Sequence, residues 1–418
     1  MNATKPTTLG LTKSFGFGDR LGLATPGHLS ASSKYDFAPV FAQQSIREMA
    51  RTQRTPEEVM RAAQTALDHA GYSKPWGADA DHLKSPEDVE QTAAAGFCFF
   101  TIDPSEFVRD EADTIPATQL SSQVSQLRAN GFLPSHWDYL YLHKEFDVRC
   151  GGPLRFDQET LSRAAVKYAR AIAHAAIMAE AIKDAMQQRP FEIEVSVDET
   201  ESPTSPLEHL FFGLELKRRQ VPNLVSLAPR FVGDFEKGID YRGDIKRFEE
   251  SLRRHVAIAK FCGPYKISVH SGSDKFSAYP VIGRVCGDLL HVKTAGTSYL
   301  EALRVVAQTA PSDFAEIVAY CRGRFDTDRK SYHISTTAEE ISALPRFSGR
   351  TEEGIYLDER VGRQLLHVTF GSVLTVGENS QGRRFKEIIL ETLHRENDLH
   401  QQFLDQHFSK HLSLLNKG

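Results

Sequence analysis

The chain has 418 residues, 40% hydrophobic and 25% charged, the balance of an ordinary globular protein able to bury a large core. Its net charge of −5 excludes the basic excess of a nucleic-acid surface, and no run approaches the roughly eighteen apolar residues of a membrane span. Five cysteines (Cys98, Cys150, Cys262, Cys286, Cys321) stand apart without a CxxC pair, and the N-terminal MNATKPTTLGLTKSFGFGD lacks an apolar leader core, so a cytoplasmic protein with reduced thiols is expected.

Along the chain, short apolar runs alternate with helical patterns. Strands are predicted at Arg20–Thr25, Gly77–Leu83, Gly96–Asp103, Phe191–Glu199, Asn223–Pro229, Tyr265–Ser271, Leu289–Thr294 and Ser331–Thr336. Helices are predicted at Pro56–Ala70, Thr160–Gln188, Pro206–Gln220, Asp244–Phe261, Ser298–Ala310 and Ser312–Arg322. Strand-helix alternation implies parallel βαβ units, and eight strands favour an α/β fold of the (β/α)8 TIM-barrel type over an open sheet. One barrel domain over residues 1–418 is expected. Residues 104–190 are too long for one crossover and predict a helical insertion at the barrel mouth, anchored by Trp137, Tyr139, Tyr141 and Phe146. Residues 337–418 form a C-terminal extension, in which Ser342–Gly354 reads as loop and Phe385–Leu415 as one helix on the barrel exterior.

Alternate residues of a strand share a face, and barrel enzymes react at the C-terminal strand ends. Glu192, Glu194, Ser196 and Asp198 share one face of the fourth predicted strand, with Glu199 and Glu201 at its mouth. Lys266, Ser268 and His270 share another, as do His291 and Lys293, and as do Phe99, Thr101 and Asp103. Asp79, Asp81 and His82 end the run GADADHL, and Ala228 and Arg230 end a further strand. Water does not reach the inside of a closed barrel, so such polar faces must satisfy one another, a metal or a substrate.

His82, His270 and His333 at separate predicted strand ends suit a divalent cation (Zn, Mn, Co or Ni) with an open coordination position. Asp81, beside His82, is a candidate proton shuttle, and Asp198 and Glu199 are its candidate partners across the pocket. Arg230, Lys266 and Lys293 are candidates to hold an anionic substrate, Arg230 by a bidentate grip. Lys293 is also a candidate Schiff-base lysine, although the histidines favour metal chemistry. His28, Asp103, Ser271 and Asp274 complete the candidate substrate contacts, with Glu199 or Asp274 as a fourth ligand and His28 and His291 in reserve. The amides of HSGSDKF, at a strand-to-helix junction, suit an oxyanion. GFGDRLG has the wrong spacing and the wrong place for a dinucleotide loop, and no GxxxxGK[ST] exists.

The stretches GDRLGLATPGH, GADADH, GFCFFTID, SVDETESPTSP, SLAPRFVGDFEKGIDY, GPYKISVHSGSDKF, HVKTAGTSYLEALRVVA and SYHIS together resemble the tagaturonate/fructuronate epimerase family of bacterial hexuronate breakdown. The resemblance spans Phe17 to Ser335; Ala38–Gly71 and the C-terminal helix carry no matching motif. It implies a divalent-metal-dependent 4-epimerase of keto-hexuronates, with related members acting on neutral ketohexoses. Asp81-His82 and HSGS also resemble the Asp-His pair and His-Gly-Gly-Ser turn of metal-dependent class II aldolases. Carbon 4 of a 2-keto sugar lies β to the carbonyl, so simple enolisation does not acidify its hydrogen. Inversion therefore requires retro-aldol cleavage between carbons 3 and 4 or transient oxidation at carbon 4. The missing nicotinamide loop favours cleavage. The rival readings are a neutral-ketohexose 4-epimerase, a true aldolase and a sugar-acid-binding regulator. The expected partner is a small sugar acid or ketohexose, with no nucleic acid and no membrane; a homo-oligomer is compatible with the sequence.

Overall fold

In the computed structural model, which describes residues 4–417, eight parallel strands close into a barrel in strict chain order. They are β1 (Ser14–Gly18), β2 (Ala38–Ser45), β3 (Gly77–Leu83), β4 (Phe99–Ile102), β5 (Glu192–Val197), β6 (Leu224–Pro229), β7 (Lys266–Val269) and β8 (Leu290–Thr294), with β8 pairing back onto β1. The fold is the expected (β/α)8 TIM type. The first three residues of the stretch read for a leader lie outside the described residues. Among the described residues no helix is long and apolar enough to cross a membrane.

Six predicted strands form as expected, and two do not. Arg20–Thr25 is a loop running into the helix Thr25–Ser32. The Asp19 carboxylate accepts the backbone N–H groups of Leu21, Gly22 and Ala24, which removes them from any ladder. The true first strand is the preceding SFGFG, whose glycines disguise it as a turn. Gly16 leaves space that the Gln43 side chain of β2 fills: a Cβ there would lie 1.6 Å from Gln43 Oε1, so Gln43 would have to move. β2 itself lies in a segment without strand alternation: Pro39 enters it and polar Gln43 and Gln44 end it. With those two strands the barrel is complete, and Ser331–Thr336 is left as unpaired chain after the short turn Arg329–Ser331.

The outer helices follow their capping signals closely. Thr55 with Glu58, and Ser205 with Glu208, make reciprocal capping boxes that start Pro56–His69 and Pro206–Arg218. The long helix Gln158–Met186 crosses from β4 to β5, and the segment before it holds short turns and the helix Ala117–Ala129. Trp137 and Tyr141 pack on Phe211 of the outer layer, with ring centroids 6.4 and 5.3 Å away, while Tyr139 is 72% exposed. The buried Lys167 ammonium of this insertion joins Asp113 (2.8 Å) to Ser202 (2.8 Å) and Glu208 (3.0 Å), so the insertion grips the loop that follows β5.

Instead of one terminal helix the chain ends in two, Phe385–Arg395 and Asn397–Asn416. The helices beyond β8 share a second apolar core with Thr297–Thr309, built on Tyr299, Phe314, Tyr356 and Phe370. Asn397–Asn416 packs across Thr25–Ser32 and Tyr279–Cys286 on the barrel exterior. At that crossing a Cβ on Gly283 would lie 1.9 Å from the carbonyl oxygen of Leu415. Gly283→Ala is expected to force the two helices apart and cost about 1–3 kcal/mol, read as a lower urea midpoint of unfolding.

Candidate active site

The barrel interior is built from charge as well as hydrocarbon. At its N-terminal end Lys266 donates to the Thr12 carbonyl (3.2 Å) and Ser14 Oγ (3.0 Å), and the Glu192 carboxylate accepts from the amides of Leu9 (3.0 Å) and Gly10 (2.7 Å). His291 meets Ser14 Oγ at 2.9 Å in the same layer. Phe99 lies between this layer and the next, with the ammonium groups of Lys266 and Lys293 at 5.9 and 5.5 Å from its ring centroid.

Above Phe99, Lys293 Nζ lies 2.7 Å from Asp79, 2.8 Å from Asp81 and 2.9 Å from Glu194, and it also donates to Thr101. Burial disfavours the Lys293 charge, but these carboxylates outweigh it and hold the ammonium protonated well above the ordinary lysine range. Burial likewise opposes ionisation of Asp81 and Glu194, yet both are held well below the usual carboxylate range, Asp81 by His82 and Lys293 and Glu194 by Lys293 and His270. Asp79 goes the other way. Burial raises it to about 7, only partly offset by Lys293.

The C-terminal rim sits directly on this layer. Strand alternation alone would turn Asp81 and His82 to opposite faces. A bulge in β3 between Ala80 and Leu83, with His82 in left-handed backbone (φ 57°), turns both side chains inward. His82 Nδ1 then meets Asp81 Oδ1 at 2.8 Å, and His270 Nε2 meets Glu194 Oε1 at 2.6 Å. The two free ring nitrogens converge on Asp198 at the end of β5: His270 Nδ1 is 3.2 Å and His82 Nε2 3.9 Å from Asp198 Oδ1. Burial would lower both imidazoles, but the carboxylates win. Asp198 and Glu194 raise His270 to about 10, and Asp81 raises His82.

His82, Asp198 and His270 therefore offer three cation-binding atoms within 4.8 Å of one another. Each imidazole is steadied from behind by a carboxylate, the arrangement that fixes tautomer and basicity in metal-ligating histidines. The donor set fits a borderline divalent cation and leaves coordination positions open. A cleft of about 30 Å³ beside it is lined by Gln43, Asp81, His82 and Lys293. It adjoins a cavity of about 630 Å³ lined by Arg47, Arg230, Tyr332 and His333. Asp198, Glu199, Lys237, His270 and Ser271 line both spaces.

The structure thus brings together Asp81, His82, Asp198, Glu199, His270, Ser271 and Lys293, with Arg230 in the outer cavity. Other candidates stand elsewhere. His333 lines only the outer cavity and is not among the converging donors, because its segment never joins the barrel. His28 belongs to an exterior helix, stacks on Phe17 (4.9 Å) and meets Ser298 Oγ at 2.8 Å; burial holds it neutral, at about 3. Lys266 starts its strand and so faces the far end of the barrel. Asp103 caps the turn after β4 through the Ser105 amide (3.0 Å) and lines neither space.

Asp274 also lies outside. It forms a second Asp-His group with His407 and His411, but those donors are already committed. His411 Nε2 accepts the Asp274 amide (3.0 Å), His411 Nδ1 donates to the His407 carbonyl (2.8 Å), and Arg363 binds the second Asp274 oxygen (2.7 Å). The group is a tie between the β7 loop and the C-terminal helices. Lys293 lines the cleft, but its ammonium is taken up by Asp79, Asp81, Glu194 and Thr101. Sequence reading missed Gln43, whose strand went unseen, Lys237 and Arg47. Of these only Lys237 had a signal, its place in the stretch SLAPRFVGDFEKGIDY.

A closed barrel with a carboxylate-backed His-Asp-His group opening into a polar cavity defines an enzyme of the TIM-barrel class. The comparisons with known proteins narrow the class. The tagaturonate epimerase family profile matches residues 1–415. The tagaturonate/fructuronate epimerase of Thermotoga maritima is 43% identical over 411 residues, covering 98% of this chain and 82% of that protein. The glycerol-complexed crystal structure of the fructuronate-tagaturonate epimerase UxaE from Cohnella laeviribosi matches with a TM-score of 0.92 at 38% identity, over 98% of this chain and 83% of that one. The native crystal structure of the same enzyme gives 0.90 at 37% identity, with the same coverage. The chain belongs to the tagaturonate epimerase family and is an isomerase of the epimerase type.

Removing the central cation tests the charge layer. Lys293→Met leaves Asp79, Asp81 and Glu194 facing one another in a buried space and should cost about 3–5 kcal/mol at pH 8. The loss should shrink toward pH 5, as carboxylates without their cation take up protons. Denaturant unfolding of variant and parent at both pH values measures it.

Proposed function

We propose that the protein inverts carbon 4 of keto-hexuronates, interconverting D-tagaturonate and D-fructuronate, with a divalent cation held by His82, Asp198 and His270. The observation that carries this reading is the placement of these donors, backed by carboxylates, at the border of a cavity with Glu199 and Arg230 on its wall. A cation there would supply Lewis-acid stabilisation of charge developing on the substrate oxygens. Asp198 moves in this reading from acid/base partner to ligand. Asp81 steadies His82 rather than shuttling protons, since Lys293 and His82 already hold its charge.

Glu199 remains as the acid/base group. It is 39% exposed at its side chain, reaches both spaces and has Arg47 at 3.4 Å as its only ion-pair partner among the described residues. Glu199 takes the proton of the carbon 4 hydroxyl, carbon 4 becomes an aldehyde, and the electron pair of the carbon 3–carbon 4 bond passes to carbon 3. This leaves an enediolate over carbons 2 and 3. Arg230, which has no ion-pair partner among the described residues, holds the carbon 6 carboxylate while the aldehyde turns about the carbon 4–carbon 5 bond. Re-addition to the opposite face and return of the proton complete the inversion, with no net oxidation. The five cysteines are all unpaired, which supports a cytoplasmic location.

Incubating the protein with a divalent cation and D-tagaturonate should give D-fructuronate. Accumulating three-carbon fragments would indicate an aldolase, unchanged sugar a binding protein, and stoichiometric nicotinamide in the active enzyme would overturn cleavage in favour of oxidation. A chelator should abolish turnover. His82→Ala, Asp198→Ala and His270→Ala should each lower bound metal at least tenfold, whereas His333→Ala should retain it; loss of metal from His333→Ala would restore that residue to the ligand set.

Cation binding should also depend on pH. The Asp198 and Glu194 carboxylates hold a proton on His270 up to about 10, and a cation must displace it. Apparent affinity should therefore rise with pH, by up to about tenfold per unit between pH 6 and 8. Competition with a chromophoric chelator across that range reads the slope, and a flat profile would remove His270 from the ligands.

A further inference from the structure

The loop after β6 delivers a cation that the reading above leaves unused. Lys237 is the one lysine or arginine among the five residues that line both the cleft and the cavity. Lys293 reaches only the cleft, and Arg47, Arg230 and Lys330 reach only the cavity. No carboxylate among the described residues forms an ion pair with Lys237. Its ammonium donates to Ser271 Oγ at 2.7 Å, and Ser271 directly follows the proposed ligand His270.

The backbone around Lys237 is held from several sides. The buried Lys275 ammonium donates to the carbonyls of Glu236 (2.9 Å), Ile239 and Ser273 (2.7 Å), joining this loop to the loop after β7. The Glu236 carboxylate accepts from the Ser335 amide (2.8 Å), Ser335 Oγ (2.9 Å) and Gln364 Nε2 (2.7 Å). Arg363 Nε donates to the Gly238 carbonyl at 2.6 Å. The residues on either side of Lys237 are thus fixed by buried side chains, while Lys237 itself is half-buried and turned to the site. A positive group without a counter-charge on so constrained a support is arranged for charge that arrives with the reaction.

We propose that Lys237 is a catalytic residue that, with Ser271, holds the carbon 2 oxygen of the substrate as it gains negative charge. Because Ser271 Oγ accepts from Lys237, its own proton is free to donate to that oxygen. In this role Lys237 acts through its hydrogen bonds and transfers no proton. The substrate carboxylate, four carbons away, falls to Arg230 in the outer cavity. This inference rests on the 4-epimerase reading and assigns an electrophile to it.

The test uses metal-loaded Lys237→Met, Lys237→Arg and Arg230→Gln with the hexuronate as substrate. Lys237→Met should lower kcat about 100-fold or more, with KM and bound metal near the parent values, and Lys237→Arg should recover part of the loss. Arg230→Gln should instead raise KM. A Lys237→Met enzyme with kcat within about threefold of the parent, or one changed only in KM, would make Lys237 a bystander or a carboxylate clamp and overturn the proposal, as would loss of metal. A parent that does not epimerise the hexuronate would sink the underlying reading, whereas an active parent with an indifferent Lys237→Met variant sinks this inference alone.

Discussion

Everything at the reactive end of this barrel rests on one buried cation and the carboxylates around it. Lys293 gathers Asp79, Asp81 and Glu194 within 2.9 Å, and all four residues are buried. None of the three acids would remain ionised there alone, and the ammonium would not remain charged without them. Two of the acids then turn their remaining hydrogen-bonding capacity upward, Asp81 to His82 and Glu194 to His270. The orientation and basicity of both imidazoles are therefore set from the layer below, by carboxylates that Lys293 holds in place.

The same logic explains the depth of charge in the core. A TIM barrel usually fills its interior with branched aliphatic layers. Here a lower layer of Ser14, Glu192, Lys266 and His291 alternates through Phe99 with the layer of Lys293. Such an interior is stable only when partners stay in register, and the closed strand order holds them there. The elements outside the barrel add a second kind of constraint. Lys167 of the insertion holds the loop bearing Asp198 and Glu199, and Arg363 and Gln364 of the extension hold the loop bearing Lys237. None of these three residues lines the site, yet each limits where a residue of the site can stand.

Much of the fold was legible in the chain because its signals are local. Capping boxes at Thr55 and Ser205 mark helix starts within a turn, and the apolar runs of β3 to β8 mark strands. β1 and β2 were not legible, because SFGFG and APVFAQQS have the composition of turns and solvated edges. Their strand character comes from neighbours: Gly16 makes room for Gln43, and both strands gain their ladder only when the barrel closes. His333 shows the converse. It stands in a run with strand alternation, but every ladder position in the barrel is already taken.

The sequence by itself determined the barrel class, the family and the set of acids, histidines and lysines from which any site had to be drawn, since these follow from strand alternation, helix caps and motifs read within a few residues. Only the tertiary structure decided which of them meet. It took the bulge at His82 to bring Asp81 and His82 to one face, and the closing of the barrel to bring the inner faces of β3, β5 and β8 together around Lys293. It likewise drew Asp274 away to Arg363 and the C-terminal helices. Charges act through space, and the distances that rank one partner above another do not exist until residues hundreds of positions apart have been packed together.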